Sequence, residues 1–300
     1  MEHIPVLLNE VIEQLSIKPD GIYVDLTLGR GGHSQEILKR LTTGKLICFD
    51  KDIQAINESR EKLIKISQNF ILIKSDFRNI TCELKKLNID KVDGILADLG
   101  VSSPQLDDPN RGFSYSINSD LDMRMDLDNT LTAKEIINNA TEKEIIDILQ
   151  SNADVKLSNL IAKAIVKNRP ISDSFTLNQI IKDSLPAKIV RQKNPSKAVF
   201  QAFRIAVNDE LNALSEMLSQ LPNLLKKDGK IAIITFHSKE DVIVKKFYQN
   251  LNYFDPKLKK ILIVETHKWH QKVIFPSSKE EEINKRSRSA KLRVITKLMD

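Results

Sequence analysis

Four short apolar, β-branched runs in the first hundred residues constrain this chain most. They are GIYVDLTL (21–28), KLICFDKD (45–52), FILIKSDF (70–77) and VDGILADLG (92–100), and each ends in Asp, Gly or a polar turn. Helical patterns separate them. Ile37, Leu38 and Leu41 share one face of 34–41, and Ile53, Ile56, Leu63 and Ile66 share one face of 52–66. Strand and helix in alternation predict right-handed βαβ units, hence a parallel sheet with helices on both faces.

The pattern then changes. Residues 105–130 are polar and rich in Pro, Gly, Asn and Asp, a long loop of the kind that is usually functional in a compact domain. From 132 to about 185 the signals are helical. Thr132…Glu135 and Thr141…Glu144 are capping-box starts, Leu157, Leu160, Ile161, Ala164 and Ile165 share a face, and Thr176…Gln179 opens another helix. After Pro195 a long helix is expected over about 196–220, with Phe203, Val207, Leu211, Leu214, Leu218 and Leu221 facing inward and a stop near Pro222. Strands are expected at 230–238, 259–267 and 292–298, the last two as an antiparallel hairpin on the sheet edge. Three hundred residues accommodate this as an α/β domain at 1–104 and 199–300, interrupted at 105–198 by a loop and an all-helical insertion.

Composition narrows the function classes. The chain is 41% hydrophobic and 29% charged, which excludes a disordered, collagen-like or disulfide-built protein. No run reaches 18 apolar residues and MEHIPVLLNE carries no secretory pattern, so no membrane partner is expected. Cys48 and Cys82 lack metal-ligand spacing; no metal is expected, and a reducing cytoplasm is. Lys and Arg (46) exceed Asp and Glu (40) only mildly, but the excess is clustered. Residues 186–204 hold five basic residues and 284–297 hold six, neither with an acidic one, which suits a polyanionic partner or a solvated lysine-rich face.

The chemistry begins where the first strand ends, in Asp25-Leu26-Thr27-Leu28-Gly29-Arg30-Gly31-Gly32-His33. Three of the nine glycines fall in four positions, so the backbone can pass close to a ligand and turn into a helix, the alternative being a tight turn with no ligand. Asp50 ends the second strand about 20 residues on, where a carboxylate meets a ribose. A dinucleotide would require a third glycine at position 34, which is Ser34. The pattern D-x-x-x-G-x-G-G looks instead like the first motif of class I methyltransferases, which bind S-adenosylmethionine. Asp76-Phe77 ends the third strand, where a polar and an apolar group would frame an adenine, core packing being the competing role for Phe77. The fourth strand runs into Asp98-Leu99-Gly100-Val101-Ser102-Ser103-Pro104-Gln105-Leu106-Asp107, at the strand end where open α/β sheets place reacting ligands.

With His3 to Leu8, Gly29 to Ser34, Asp98 to Asp107, Arg111-Gly112-Phe113-Ser114, Leu121 to Asp126, Phe200 to Arg204, Phe236-His237-Ser238 with Glu240-Asp241, and Arg286 to Arg293, the chain closely resembles the bacterial small-subunit 16S ribosomal RNA cytosine-N4 methyltransferases. The resemblance runs nearly end to end. It implies a Rossmann-like, class I S-adenosylmethionine-dependent sheet whose helical insertion recognises substrate. It implies cofactor contacts at Gly31, Gly32, His33, Asp50, Phe77, Asp98 and Gln105, beside the Gly29 that the turn itself suggests. It also implies a cytoplasmic enzyme acting on a decoding-region cytidine of 16S rRNA within the small subunit; no protein partner is inferred.

The N4 amine of cytosine is a poor nucleophile, because its lone pair is conjugated into the ring. Alignment and hydrogen-bond acceptors are needed. Asp98, Ser102 and Ser103 are the candidate acceptors, and His237, after a buried strand, is a candidate base or a structural histidine. The [D/N/S]-P-P-[Y/F] box of many amino-group methyltransferases is absent; Asp98-Leu99-Gly100-Val101 stands there. Phe113 and Tyr115 in the polar loop suit base stacking, and Phe200 and Phe203 suit core packing. Two other classes fit parts of the pattern: a nucleotide-dependent oxidoreductase, against which Ser34 counts, and a non-catalytic RNA-binding protein, against which the intact carboxylates count.

Overall fold

The computed structural model describes residues 4–192, 194–252 and 268–299. The chain divides into two compact units, Met1–Gly100 with Asn212–Asp300, and Val101–Leu211. The first is an α/β unit. Its strands are β1 (Ile22–Asp25), β2 (Lys45–Asp50), β3 (Phe70–Lys74), β4 (Val92–Asp98), β5 (Leu225–Thr235), β6 (Trp269–Ile274) and β7 (Lys291–Lys297). They form one sheet in the order β3-β2-β1-β4-β5-β7-β6. The first five are parallel, and β7 runs antiparallel to β5 and β6. This is a Rossmann-like fold.

The two-residue period of the strands fills both faces. Ile47 and Phe49 of β2 join Val24, Ile95, Ile231 and Ile233 in one core. Leu46 and Cys48 join Tyr23, Leu96, Ala232 and Ile234 in the other. A sheet covered on both faces reads as continuous apolar runs, which is why the strands were visible in the sequence. The Glu210–Leu224 helix closes the first face with Leu214, Met217, Leu218, Leu221 and Leu224.

The second unit is helical: Ser103–Asp107, Ala133–Asn139, Glu142–Ala153, Ser158–Lys167, Ser174–Asp183, Ala187–Gln192 and Ser196–Asn208. The capping boxes at Thr132 and Thr141 form as expected. The units meet the chain at 100/101 and 211/212, outside the 105–198 expected. The reason is that Val199, Phe200, Ala202, Phe203 and Val207 complete the helical unit's core. The helix expected over 196–220 is two helices, because Asp209 adopts a left-handed φ of 50° and ends the first.

The edge strand β6 was not foreseen, since its WHQKVI is polar and half exposed. The strand expected at 259–267 lies outside the described residues. No described helix is long and apolar enough to cross a membrane.

Candidate active site at the carboxyl edge of the sheet

β1 stops at Asp25, and the chain crosses the carboxyl edge of the sheet before the Gly32–Leu38 helix begins. Gly29 (φ 50°) and Gly31 (φ 75°) make that crossing in the left-handed region, where a side chain is strained. Gly32 serves close approach, since a Cβ there would run into Pro5.

Two carboxylates and one backbone amide hold this turn from three strands. The Gly29 N–H donates to Asp50 Oδ2 and the Asp52 N–H to Asp50 Oδ1, both at 2.8 Å. Burial pushes the Asp50 pKa up to about 6 despite those two donors. Asp25, 1% exposed, accepts the Ser34 hydroxyl at 2.6 Å and the Thr27 N–H at 3.1 Å. Burial raises its pKa, and the Ser34 and Thr27 bonds oppose the rise. The Thr27 hydroxyl accepts the Asp98 N–H at 2.6 Å, which ties the turn to the end of β4.

Asp98 is the least satisfied of the three. Its Oδ1 is buried with no hydrogen-bond partner among the described residues, and its Oδ2 lies 3.7 Å from His33 Nδ1. Burial holds its pKa well above the usual carboxylate range, and the charges of Asp25 and Glu240 add to that. His33 places Nε2 3.0 Å from the Val6 carbonyl. A donating Nε2 turns the Nδ1 lone pair toward Asp98, and a proton on either partner makes that contact attractive.

Carboxylates whose pKa values are raised by burial regain their charge most easily beside a cation. The edge thus carries three such carboxylates, of which Asp98 keeps one oxygen without a hydrogen-bond partner among the described residues.

Phe77 follows β3 in a short 3₁₀ turn and packs partly on the core, with the Lys51 ammonium 5.8 Å from its ring centroid. Its neighbour Asp76 is committed locally, capping that turn through the Arg78 N–H at 2.9 Å and pairing with Lys51 at 3.0 Å.

His237 is the N-cap of the Ser238–Leu251 helix. Its Nδ1 accepts the Glu240 N–H at 3.4 Å, and its Nε2 lies 3.1 Å from Glu240 Oε1. Glu240, 3% exposed, also accepts the Phe236 and His237 N–H groups at 2.8 and 3.2 Å. Glu240 thus fixes the segment after β5. The sequence signal for it was a capping box, with the glutamate three residues after the cap.

Ser102, Ser103 and Gln105 belong to the helical unit. Ser102 caps the Ser103–Asp107 helix; its Oγ accepts the Gln105 N–H at 3.5 Å, and Gln105 Oε1 accepts the Ser102 N–H at 3.0 Å. The following loop is ordered by buried polar bonds. Arg111 donates to the carbonyls of Arg124 and Met125 at 3.0 and 3.1 Å. Asn208 accepts the Met125 N–H and donates to the Met123 carbonyl, both at 2.7 Å. Phe113 is buried in the unit's core, and Tyr115 meets Phe200 edge-on at 5.9 Å. Phe113 is thus committed to the core, while Tyr115 stays partly exposed.

The basic clusters are smaller than their sequences suggest. In the first, Arg204 forms a bidentate pair with Glu210 at 2.8 Å, while Lys188, Arg191 and Lys197 are exposed. In the second, Lys291 and Arg293 pair with Asp241 at 2.9 and 2.8 Å, while Lys285, Arg286 and Arg288 are exposed.

The MraW methylase family profile matches residues 1–298. The ribosomal RNA small subunit methyltransferase H of Metamycoplasma arthritidis (strain 158L3-1) is 64% identical over 284 residues, covering 95% of this chain and 99% of that protein. The protein of the same name from Mycoplasmopsis agalactiae (strain NCTC 10123 / CIP 59.7 / PG2) is 56% identical over 298 residues, 99% of each. A solved structure, a putative rRNA methylase from Clostridium thermocellum, aligns over 99% of this chain and 100% of its own at 14% identity and TM-score 0.48. On this end-to-end similarity, the chain belongs to the MraW methylase family.

Proposed function

We propose that the protein transfers the methyl group of S-adenosylmethionine to the exocyclic N4 of one decoding-region cytidine in 16S rRNA of the small ribosomal subunit, in the cytoplasm. One observation carries the donor: the glycine turn is built on Asp50 and shares its sheet edge with Asp98, whose buried Oδ1 has no hydrogen-bond partner among the described residues, an edge that suits a cationic ligand. The RNA follows from the two relatives, both ribosomal RNA small subunit methyltransferases H, and the atom from the resemblance of the sequence motifs.

Bound S-adenosylmethionine supplies an electrophilic methyl on a sulfonium. In this reading Asp50 accepts the ribose hydroxyls, Asp98 faces the methionyl ammonium, and the backbone of Gly29, Gly31, Gly32 and His33 lines the passage. Phe77 and Gln105 contact the rest of the cofactor. Transfer forms an N4–carbon bond, breaks the sulfur–carbon bond and releases one N4 proton. The chain's task is to align the conjugated amine and accept its N–H bonds, for which Ser102 and Ser103 follow Asp98 along the sequence. His237 acts by positioning, through the cap it forms with Glu240. The helical unit contributes RNA recognition through its exposed cations.

Methylation at the ring C5 would call for a cysteine thiolate. Cys48 is fully buried in β2, and burial, reinforced by Asp25, keeps its thiol protonated far above neutrality. Cys82 lies exposed on the Ile80–Lys86 helix, outside the carboxylate turn. The test is transfer of labelled methyl from S-adenosylmethionine to unmethylated small subunits and to naked 16S rRNA. Labelled RNA supports the reading; label on neither overturns it.

A further inference from the structure

Isolated exposed apolar side chains are ordinary. Phe275 differs from the others in its setting. It is 61% exposed and follows directly on β6. The last residue of β6, Ile274, pairs with Leu292, and the neighbouring Lys291 pairs with Thr235 at the end of β5. That register puts Phe275 at the same carboxyl edge as Asp25, Asp50 and Asp98. The Lys291 ammonium lies 6.0 Å from the Phe275 ring centroid and is itself pinned by Asp241 at 2.9 Å. The ring is therefore held beside a fixed cation while most of it remains open.

The chain enters β7 through the Lys285–Ser289 turn, which presents Lys285, Arg286 and Arg288 to solvent. This turn is anchored. Ser287 is fully buried and its hydroxyl donates to the Asn284 carbonyl at 2.8 Å. Asn284 in turn donates to the Ile4 carbonyl at 3.1 Å. From 284 to 297 there is no acidic residue. Of the three glutamates just before, Glu280 is turned onto the Leu7 N–H at 2.7 Å, and Glu281 and Glu282 stand on the preceding Ser278–Ile283 helix.

We propose that Phe275, Lys285, Arg286 and Arg288 form a docking surface for single-stranded RNA flanking the target nucleotide, with Phe275 stacking on an unpaired base and the three cations meeting its phosphates. The proposal rests on the RNA-methylation reading above. An open aromatic ring is indifferent to base identity, and a cluster of cations beside it tracks a backbone, which is how single strands are held without sequence readout. The α/β unit then grips RNA itself, beside its reacting edge.

The experiment compares Phe275→Ala, Phe275→Trp and the double change Arg286→Glu with Arg288→Glu. Each is assayed for affinity to a synthetic 16S decoding-region RNA at two salt concentrations, for KM and kcat on that RNA or on subunits, and for S-adenosylmethionine affinity. Phe275→Ala is expected to weaken RNA binding about five- to hundredfold and to raise KM more than it lowers kcat. Phe275→Trp restores binding. The double reversal weakens binding and lowers the salt slope by about 1.4, for two lost phosphate contacts. Cofactor affinity stays at the wild-type value throughout. Wild-type RNA affinity and KM in both Phe275→Ala and the double reversal overturn the surface, and so does an equal loss of cofactor binding. If the unaltered protein methylates no RNA, the functional reading fails as well; if it does and the variants match it, only this surface fails.

Discussion

The Gly29 N–H donates to Asp50 Oδ2 at 2.8 Å, so the turn that requires glycine also aims the carboxylate. Asp50→Ala removes charge-assisted bonds of roughly 1.5–3 kcal/mol, and S-adenosylmethionine affinity should fall at least about tenfold. Calorimetry checks this, and unchanged affinity would refute the role of Asp50.

Cofactor affinity should also depend on pH. Asp50 is raised to about 6, so above that value it is ionised and can accept two hydroxyls. Below it the carboxyl holds a proton and loses acceptor capacity. Affinity should therefore fall as pH drops through 6, approaching about tenfold per pH unit. Asp50→Asn should bind weakly and lose this particular pH step. A step that survives in Asp50→Asn belongs to another group.

Ser34 occupies the position where a dinucleotide site would have glycine, and its hydroxyl donates to Asp25 at 2.6 Å. Ser34→Ala leaves a buried carboxylate with one donor fewer. The expected cost is about 1–3 kcal/mol of stability, read from the urea midpoint. A midpoint equal to wild type would show that Asp25 does not depend on that bond.

Asn208 joins two stretches of the polar loop's backbone, at Met123 and Met125. Asn208→Ala strands an N–H and a carbonyl, at a cost of about 2–4 kcal/mol. Amide exchange across 111–126 should accelerate. Unchanged protection there would contradict the bridging role.

In the first basic cluster, Lys188 and Arg191 are exposed and Arg204 is neutralised by Glu210. Charge reversal at Lys188 and Arg191 should weaken RNA or subunit binding and flatten its salt dependence, with cofactor affinity intact. A further basic residue of this run, Lys193, lies outside the described residues. Equal loss of cofactor binding would mark the stretch as structural.

The sheet was legible because each buried parallel strand is a continuous apolar run, and the carboxylate turn because glycine and Asp spacing is local. What escaped depended on contacts between distant residues. Ser34 read only as a missing glycine, and its bond to Asp25 joins two elements. His33 looked like a cofactor contact, and the fold also sets it against the Val6 carbonyl. The polar edge strand β6 gave no alternation to detect, since only its ends, Trp269 and Ile274, pack on the core and the residues between them are largely exposed. The helix break at Asp209 is a single backbone torsion inside an otherwise unbroken amphipathic pattern. Charge clusters counted along the chain overstate free charge, because Asp241 and Glu210 neutralise members from outside the runs.

The most direct test is mass spectrometry of nucleosides from RNA treated with the purified protein and S-adenosylmethionine. N4-methylcytidine from a single position of small-subunit rRNA is the predicted product. Finding 5-methylcytidine or a methylated purine, with no N4-methylcytidine, would contradict the central claim even though methyl transfer had occurred.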